Sequence, residues 1–348
     1  MSKIFSGNIY IFHAFDIGED IALTTIEDEQ IFARVPQTVP RYFKNYQTPL
    51  AIELPTPHAT EYLSSKIHEF GVISLTYKIP FRQTLEDLRT NMEALGNKYQ
   101  EQASSDAQVI FDKIQHLVKQ PRFFHLRTSY TIIQLDYDAN IDSKELSEKY
   151  GNTIAELVRF ETETLADYQK QDLLDSAVGY YRGDFIIVDN EAAFVYDEGY
   201  EELLGLFEFS NIQHLELKYF DKLLAERLNQ LYERRETIVP KRELIPLAGL
   251  TKTPVAELGR LKADISVITE QLQGSIKLAN EPYINEIYEL LVERLDIRGW
   301  KRSIDRKFDI IKEVSTVYYN RIETVRAEML ETLIIILILI ELILGIFK

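Results

Sequence analysis

Thr332–Phe347 reads TLIIILILIELILGIF, almost wholly aliphatic, with one carboxylate, Glu341, and Lys348 behind it. At about 1.5 Å per helical residue, this run with its last flanking turn covers roughly 25–30 Å, near the thickness of a bilayer core. A buried core helix is the alternative, because the run is short for a span and carries an acid. Apolarity on every face, a place at the end of the chain and the lack of a second such run favour the membrane. The stretch therefore predicts a single-pass C-terminal anchor at 332–347.

Working outward, the 348 residues suffice for two ordinary domains and a tail. A hydrophobic content of 45% with 27% charged residues is that of a folded protein. The net charge of −16 argues against bulk affinity for nucleic acid, and no direct DNA binding is expected. With no cysteine, disulfides and thiolate chemistry are excluded. The opening MSKIFSGNIYIFHAF lacks the pattern of a signal or transit peptide and reads as the start of a strand. Basic residues gather before the apolar run (Lys301, Arg302, Arg306, Lys307, Lys312, Arg321, Arg326), and Lys348 follows it. By the positive-inside bias, the large domain is expected on the cytoplasmic side.

Residues 7–15, Gln30–Val35, Leu50–Leu54, Gly71–Ile79 and Leu126–Tyr137 have strand composition. Thr84 caps a helix expected to run toward Val118, with Glu86 and Asp87 in its first turn. A second helical stretch runs from Asp142 or Ser143 to about Ala177, with Gly151 as a point of interruption. Asp184–Val188 and Ala192–Tyr196 form a hairpin around Asp189–Glu191. Residues 1–200 are thus an α+β domain with helices covering a sheet.

Beyond Gly199 the period changes. Leu217, Leu224, Leu231 and Ile238 are seven apart; so are Leu258, Ile265, Leu272 and Ala279, and again Ile304, Ile311, Tyr318 and Val325. Residues 201–331 are expected to be long antiparallel helices, a coiled-coil-like stalk leading to the anchor, with self-association as a consequence.

Signatures of nucleotide-binding loops, serine hydrolases and zinc peptidases are absent. The six histidines show no ligand spacing. Asp136-Tyr137-Asp138-Ala139-Asn140-Ile141-Asp142 imitates the start of a calcium loop, but Ile141 stands where the loop needs glycine and Ser147 where it needs glutamate. A strand-to-helix turn with capping acids explains it better, so no metal or cofactor is expected. Arg182-Gly183-Asp184 is read as an ordinary loop before a strand.

Lys301, Arg302, Arg306 and Lys307 could gather on one helix face, either as a solvated flank or as a docking site for an anionic partner such as RNA, a ribosome or a lipid headgroup. Glu341, costly at membrane depth, suggests pairing between helices or interfacial placement, and Glu331 sits just before the run.

Arg326-Ala327, Leu330-Glu331, the run Ile334–Ile340 and Glu341 together resemble the terminal signature of the family required for meiotic nuclear division, domain of unknown function 155. Phe209-Ser210 with Lys218 resembles that family's helix opening after an acidic hairpin, although Thr332 stands where the family often has Trp. The resemblance implies a bacterial-type, membrane-anchored, non-enzymatic member, with a link to translation through a mitochondrial relative.

The expected function is a membrane-tethered scaffold binding a protein or ribonucleoprotein partner. The alternatives are an enzyme using carboxylates such as Asp136, Asp138 or Asp189, and a membrane-sensing subunit that pairs through Glu341.

Overall fold

The computed structural model describes residues 3–37, 39–43, 48–54, 62–123, 126–138, 140–236, 259, 261–263, 265–266, 268–269 and 281–346. Two compact units emerge: 1–219 with 269–299, and 220–268 with 300–348.

The first unit is built on a seven-stranded sheet: β1 Phe5–Asp16, β2 Leu50–Ile52, β3 Tyr62–His68, β4 Val72–Gln83, β5 Arg127–Leu135, β6 Phe185–Val188 and β7 Ala192–Tyr196. Their order across the sheet is β2-β3-β4-β1-β5-β7-β6, antiparallel except for β5 beside β7. The period of two along β1 places Ile9, Ile11 and Phe15 on one face and Tyr10, Phe12 and Ala14 on the other. Both sets are buried, so this strand is covered on both faces.

The helices are α1 Leu23–Asp28, α2 Leu85–Ile114, α3 Ser143–Glu145, α4 Gly151–Val158, α5 Asp167–Asp175, α6 Glu201–Glu236, α7 Pro282–Arg294 and α8 Ile297–Ile346. On the Ile9 face, α2 buries Leu85, Leu88, Met92, Tyr99, Ala103, Ile110 and Ile114, a helical stripe in the same core as Ile73, Leu75 and Tyr77 of β4. Thr84 caps α2 as expected, its hydroxyl accepting from the Asp87 amide at 3.1 Å.

On the opposite face, α6 lays Ile212 and Leu215 against Ala14 and Val72, and Phe207 stacks on Tyr130 with centroids 5.7 Å apart. From Leu206 to Gln213 every residue of α6 is buried. A helix enclosed on all sides is a core element. Tyr288 of α7 meets Gln213 at 3.1 Å, and Tyr283 donates to Asp197 at the approach to α6. The acids Glu201 and Glu202 fill the first turn of α6, where carboxylates suit the helix dipole.

Several expectations change. Gln30–Val35 is not a strand: Gln30 turns the chain with φ +52° after α1, and Arg34 makes an isolated bridge to Ile52. β3 had no counterpart in the sequence reading. The stretch from 143 to 177 is broken by a π-helical turn at Leu146–Tyr150 and by a reversal after Arg159, where Phe160 has φ +55°. At the β3–β4 turn, Gly71 has φ +96°, and a Cβ there would lie 2.2 Å from the Gly18 carbonyl oxygen.

The second unit is helical in its described part. Leu224, Ile265, Ile304, Phe308 and Ile311 are buried, Lys262 Nζ stands 5.7 Å from the Phe308 ring centre, and Ser303 Oγ donates to Asp221 Oδ1 at 2.6 Å. Ile304 and Ile311 are members of the third seven-residue repeat, and Phe308 lies between them. Ile238, Leu258, Leu272 and Ala279 lie outside the described residues.

One helical stretch among the described residues, Glu323–Ile346, is long and apolar enough to cross a membrane. At about 1.5 Å per residue it measures roughly 36 Å.

Candidate functional site

In the first unit, β3 and β4 present polar side chains to the underside of α6. Register pairs Lys66 with Ser74 and Ser64 with Thr76, and Phe12 and Ala14 of β1 continue the two rows. Glu208, flanked by Phe207 and Phe209 in α6, descends onto the first row. It pairs with Lys66 Nζ and accepts from Ser74 Oγ at 2.8 Å, while His68 Nε2 lies 3.2 Å from the same Ser74 oxygen.

A hydroxyl has one proton. Since Ser74 gives it to the Glu208 carboxylate, the His68–Ser74 bond runs from Nε2–H to Oγ, and His68 Nδ1 is left a bare acceptor without a partner. Burial pushes His68 down to about 4, so the ring is neutral at physiological pH. Burial works to raise the Glu208 carboxyl. The Lys66 ammonium and the Ser74 hydroxyl outweigh it and leave the group below its ordinary range. The polarity is the reverse of a serine nucleophile activated by histidine, in which the hydroxyl would donate to the ring.

Beside this seam lies a cavity of about 170 Å³. Phe12, Phe43, Phe209, Leu63, Leu204 and Pro40 form most of its apolar wall, and Lys66, Thr76, Glu201 and Glu208 supply polar groups. The loop wall is pinned: Tyr42 donates to the Glu202 carbonyl at 2.6 Å and Gln37 Nε2 to the Pro49 carbonyl at 2.5 Å. Gly205 permits this approach, because a Cβ there would come within 3.2 Å of Pro40 and of the Tyr42 hydroxyl.

The residues singled out from the sequence sit elsewhere. Asp189 is buried in the β6–β7 turn, 3.0 Å from Arg159 Nε and 3.9 Å from Arg294 Nη1. Asp138 is exposed beyond the other end of β5, held below its ordinary value by the Asn140 amide and side chain. Since Thr131 pairs with Ala192 and Gln134 with Val195, Asp136 and Asp189 are separated by most of a strand, on the order of 15 Å. These acids do not converge. Asp142 caps α3 through the Glu145 amide at 2.8 Å, the capping role expected of the calcium-like run. Asp184 of the Arg-Gly-Asp tripeptide is buried, bonded to the Tyr181 amide at 2.7 Å.

Lys307 turns inward to Asp221, meeting its carbonyl at 3.2 Å as well as its carboxylate. Lys301 is half-buried, whereas Arg302 and Arg306 are exposed alongside Asp305 and Asp309. Glu331 and Glu341 are exposed on α8. The Lys66–Glu208–Ser74 seam escaped the sequence reading; its signal is Glu208, the lone acid inside the apolar stretch Leu203–Phe209.

Residues 6–201 match the family described as "Uncharacterized protein MJ0711, N-terminal domain". The chain belongs to this family. Among MJ0711-like proteins, "Uncharacterized protein MJ0711" of Methanocaldococcus jannaschii is 24% identical over 241 residues, covering 69% of this chain and 72% of the relative. No solved structure matches.

The MJ0711 match overturns the resemblance to the family required for meiotic nuclear division. The signature at Arg326–Glu341 lies outside residues 6–201, and a short aliphatic run is a composition that membrane crossing by itself selects. The supposed helix opening at Phe209-Ser210 falls inside α6, which begins at Glu201. The MJ0711 match spans β1 to β7 and stops as α6 starts, so it covers the strands flooring the cavity.

Proposed function

We propose that the chain is a single-span membrane protein whose α+β domain is a non-enzymatic binding module held at the membrane surface. One observation carries the reading: from Leu330 to Ile346 the large apolar side chains of α8 are 46–73% exposed. Removing that surface from water is worth on the order of 20 kcal/mol at about 25 cal/mol per Å². The basic flank before the run supports a cytoplasmic position for the domain. Glu341 favours self-association through the span, where a second helix shields its carboxylate, with Glu331 at the headgroup boundary. The seven-residue spacing supports a helical stalk between domain and span.

A protein partner fits better than RNA or a ribosome. The translation link rested on the overturned family, and the exposed Arg302 and Arg306 are interleaved with Asp305 and Asp309. A non-enzymatic role is supported by the separation of Asp136 and Asp138 from Asp189 and by the direction of the Ser74–His68 bond.

The test is fractionation of cells producing the full chain or a version ending at Leu330. The full chain should stay with membranes through an alkaline carbonate wash and the truncated form should be soluble. Release of the full chain by carbonate would end the reading. Crosslinking of Glu341→Leu against the parent tests self-association, which should fall.

A further inference from the structure

We propose that the cavity between β3, β4 and α6 binds a small organic cation, a quaternary ammonium, held by its phenylalanine rings and balanced by the charge of Glu201. The inference stands apart from the membrane reading, since every wall belongs to the first unit.

Charge gives the sign of the guest. The ionised side chains in the lining are Lys66, Glu201 and Glu208. Lys66 and Glu208 neutralise each other. Glu201 is exposed and makes no ion pair among the described residues, so the lining keeps one uncompensated negative charge. The N-terminus of α6, where Glu201 stands, adds only about half a positive charge and does not cancel it. Attraction to this carboxylate needs no hydrogen bond, since Coulomb forces act across several ångströms. An anionic guest would meet repulsion and lose its hydration without a cation of its own.

The walls give its class. Phe12, Phe43 and Phe209 line the cavity, with the Phe43 and Phe209 ring centroids 5.5 Å apart. Aromatic rings attract cations, and quaternary ammonium groups are the ligands that aromatic walls recognise best. Both Glu208 oxygens are committed, one to Lys66 and one to Ser74, and the Gln37 amide is tied to the Pro49 carbonyl. A primary ammonium would bring its N–H donors into a lining with few free side-chain acceptors; a quaternary ammonium brings none. The volume, about 170 Å³, is close to that of the roughly 150 Å³ cavities that admit benzene, a guest similar in size to tetramethylammonium. The pinned loop and Gly205 hold the walls ready, so little ordering is required on binding.

The experiment is saturation-transfer NMR of choline titrated against the full chain in maltoside micelles, which carry no ammonium, with empty micelles subtracted. Saturable binding is expected, and 3,3-dimethylbutanol, the uncharged isostere of choline, should bind weaker by about tenfold. Glu201→Gln, a change at an exposed position, should weaken choline by about threefold, and Phe43→Leu by about as much. The two together should reach about tenfold. A short-chain phosphatidylcholine separates two sources of the group. Displacement of choline at a lower concentration than choline itself requires assigns the site to a lipid headgroup, and no displacement assigns it to a free cation. The proposal is overturned by no saturable signal from the parent, by the uncharged isostere binding as tightly as choline, or by unchanged binding in Glu201→Gln or in the double variant.

Discussion

Ser74 of β4 donates to Glu208 Oε1 of α6 at 2.8 Å, across 134 residues of sequence. With the Lys66 pair beside it, this bond fixes which turn of α6 rests on the sheet. Glu208→Gln leaves Lys66 facing a neutral amide in a site where its side chain is 22% exposed. The expected loss is about 2–4 kcal/mol in urea unfolding. Lys66→Met with Glu208→Leu should restore most of it, because an apolar pair needs no desolvation. Equal instability of the double variant would show that the pair does more than cancel its own charges.

Acid should destabilise the domain. His13, His68 and His214 are each lowered by burial from 6.5 to about 4, with Arg127 adding to the effect at His13 and Lys218 at His214. The unfolded chain therefore takes up these protons first. Their contribution is complete above pH 6.5 and drains away as pH falls toward 4. Each histidine adds up to about 1.4 kcal/mol per pH unit in that window. Glu208, held low, acts in the same direction below the carboxylate range. Melting temperatures recorded from pH 7 to pH 4 should fall, less steeply in His68→Gln. A flat profile would contradict the buried placement of these rings.

Tyr77 of β4 donates to Asp106 Oδ2 of α2 at 2.6 Å, while Gln102 holds the other carboxylate oxygen at 3.0 Å. Asp106 is 1% exposed. Tyr77→Phe removes one donor from a buried carboxylate, at a cost of about 1.5–3 kcal/mol. Denaturant midpoints of the two proteins decide it, and a loss below about 0.5 kcal/mol would mean that the carboxylate finds another donor.

Thr84→Ala removes the cap of α2 and should cost about 1 kcal/mol, with Thr84→Ser recovering most of it. Thermal melts suffice as the measurement. No loss in the alanine variant would place the start of α2 elsewhere.

Thr84 also marks what can be read from residues in order. A cap, a first turn of acids and a helical stripe are local signals, and α2 follows from them. The same holds for β1 and for the β6–β7 hairpin, where alternation and turn residues coincide. β3 was not legible, because YLSSKIH has no apolar alternation. Its Lys66 is tolerated facing inward because Glu208 arrives from α6. The heptad leucines in the middle of α6 say less: Leu217 and Leu224 are buried, while the turns before Leu217 pack against the sheet.

By itself the sequence determined the α+β class, the paired strands at 184–196, the long helices and the apolar end of α8, since each depends on periodicity or composition within one segment. Tertiary structure decided the polar seam under α6, the cavity beside it, and the separation of Asp136 from Asp189. These depend on register between strands and on which helix turn meets them. A burial cost is met there by a partner more than a hundred residues away, and no local pattern encodes that pairing.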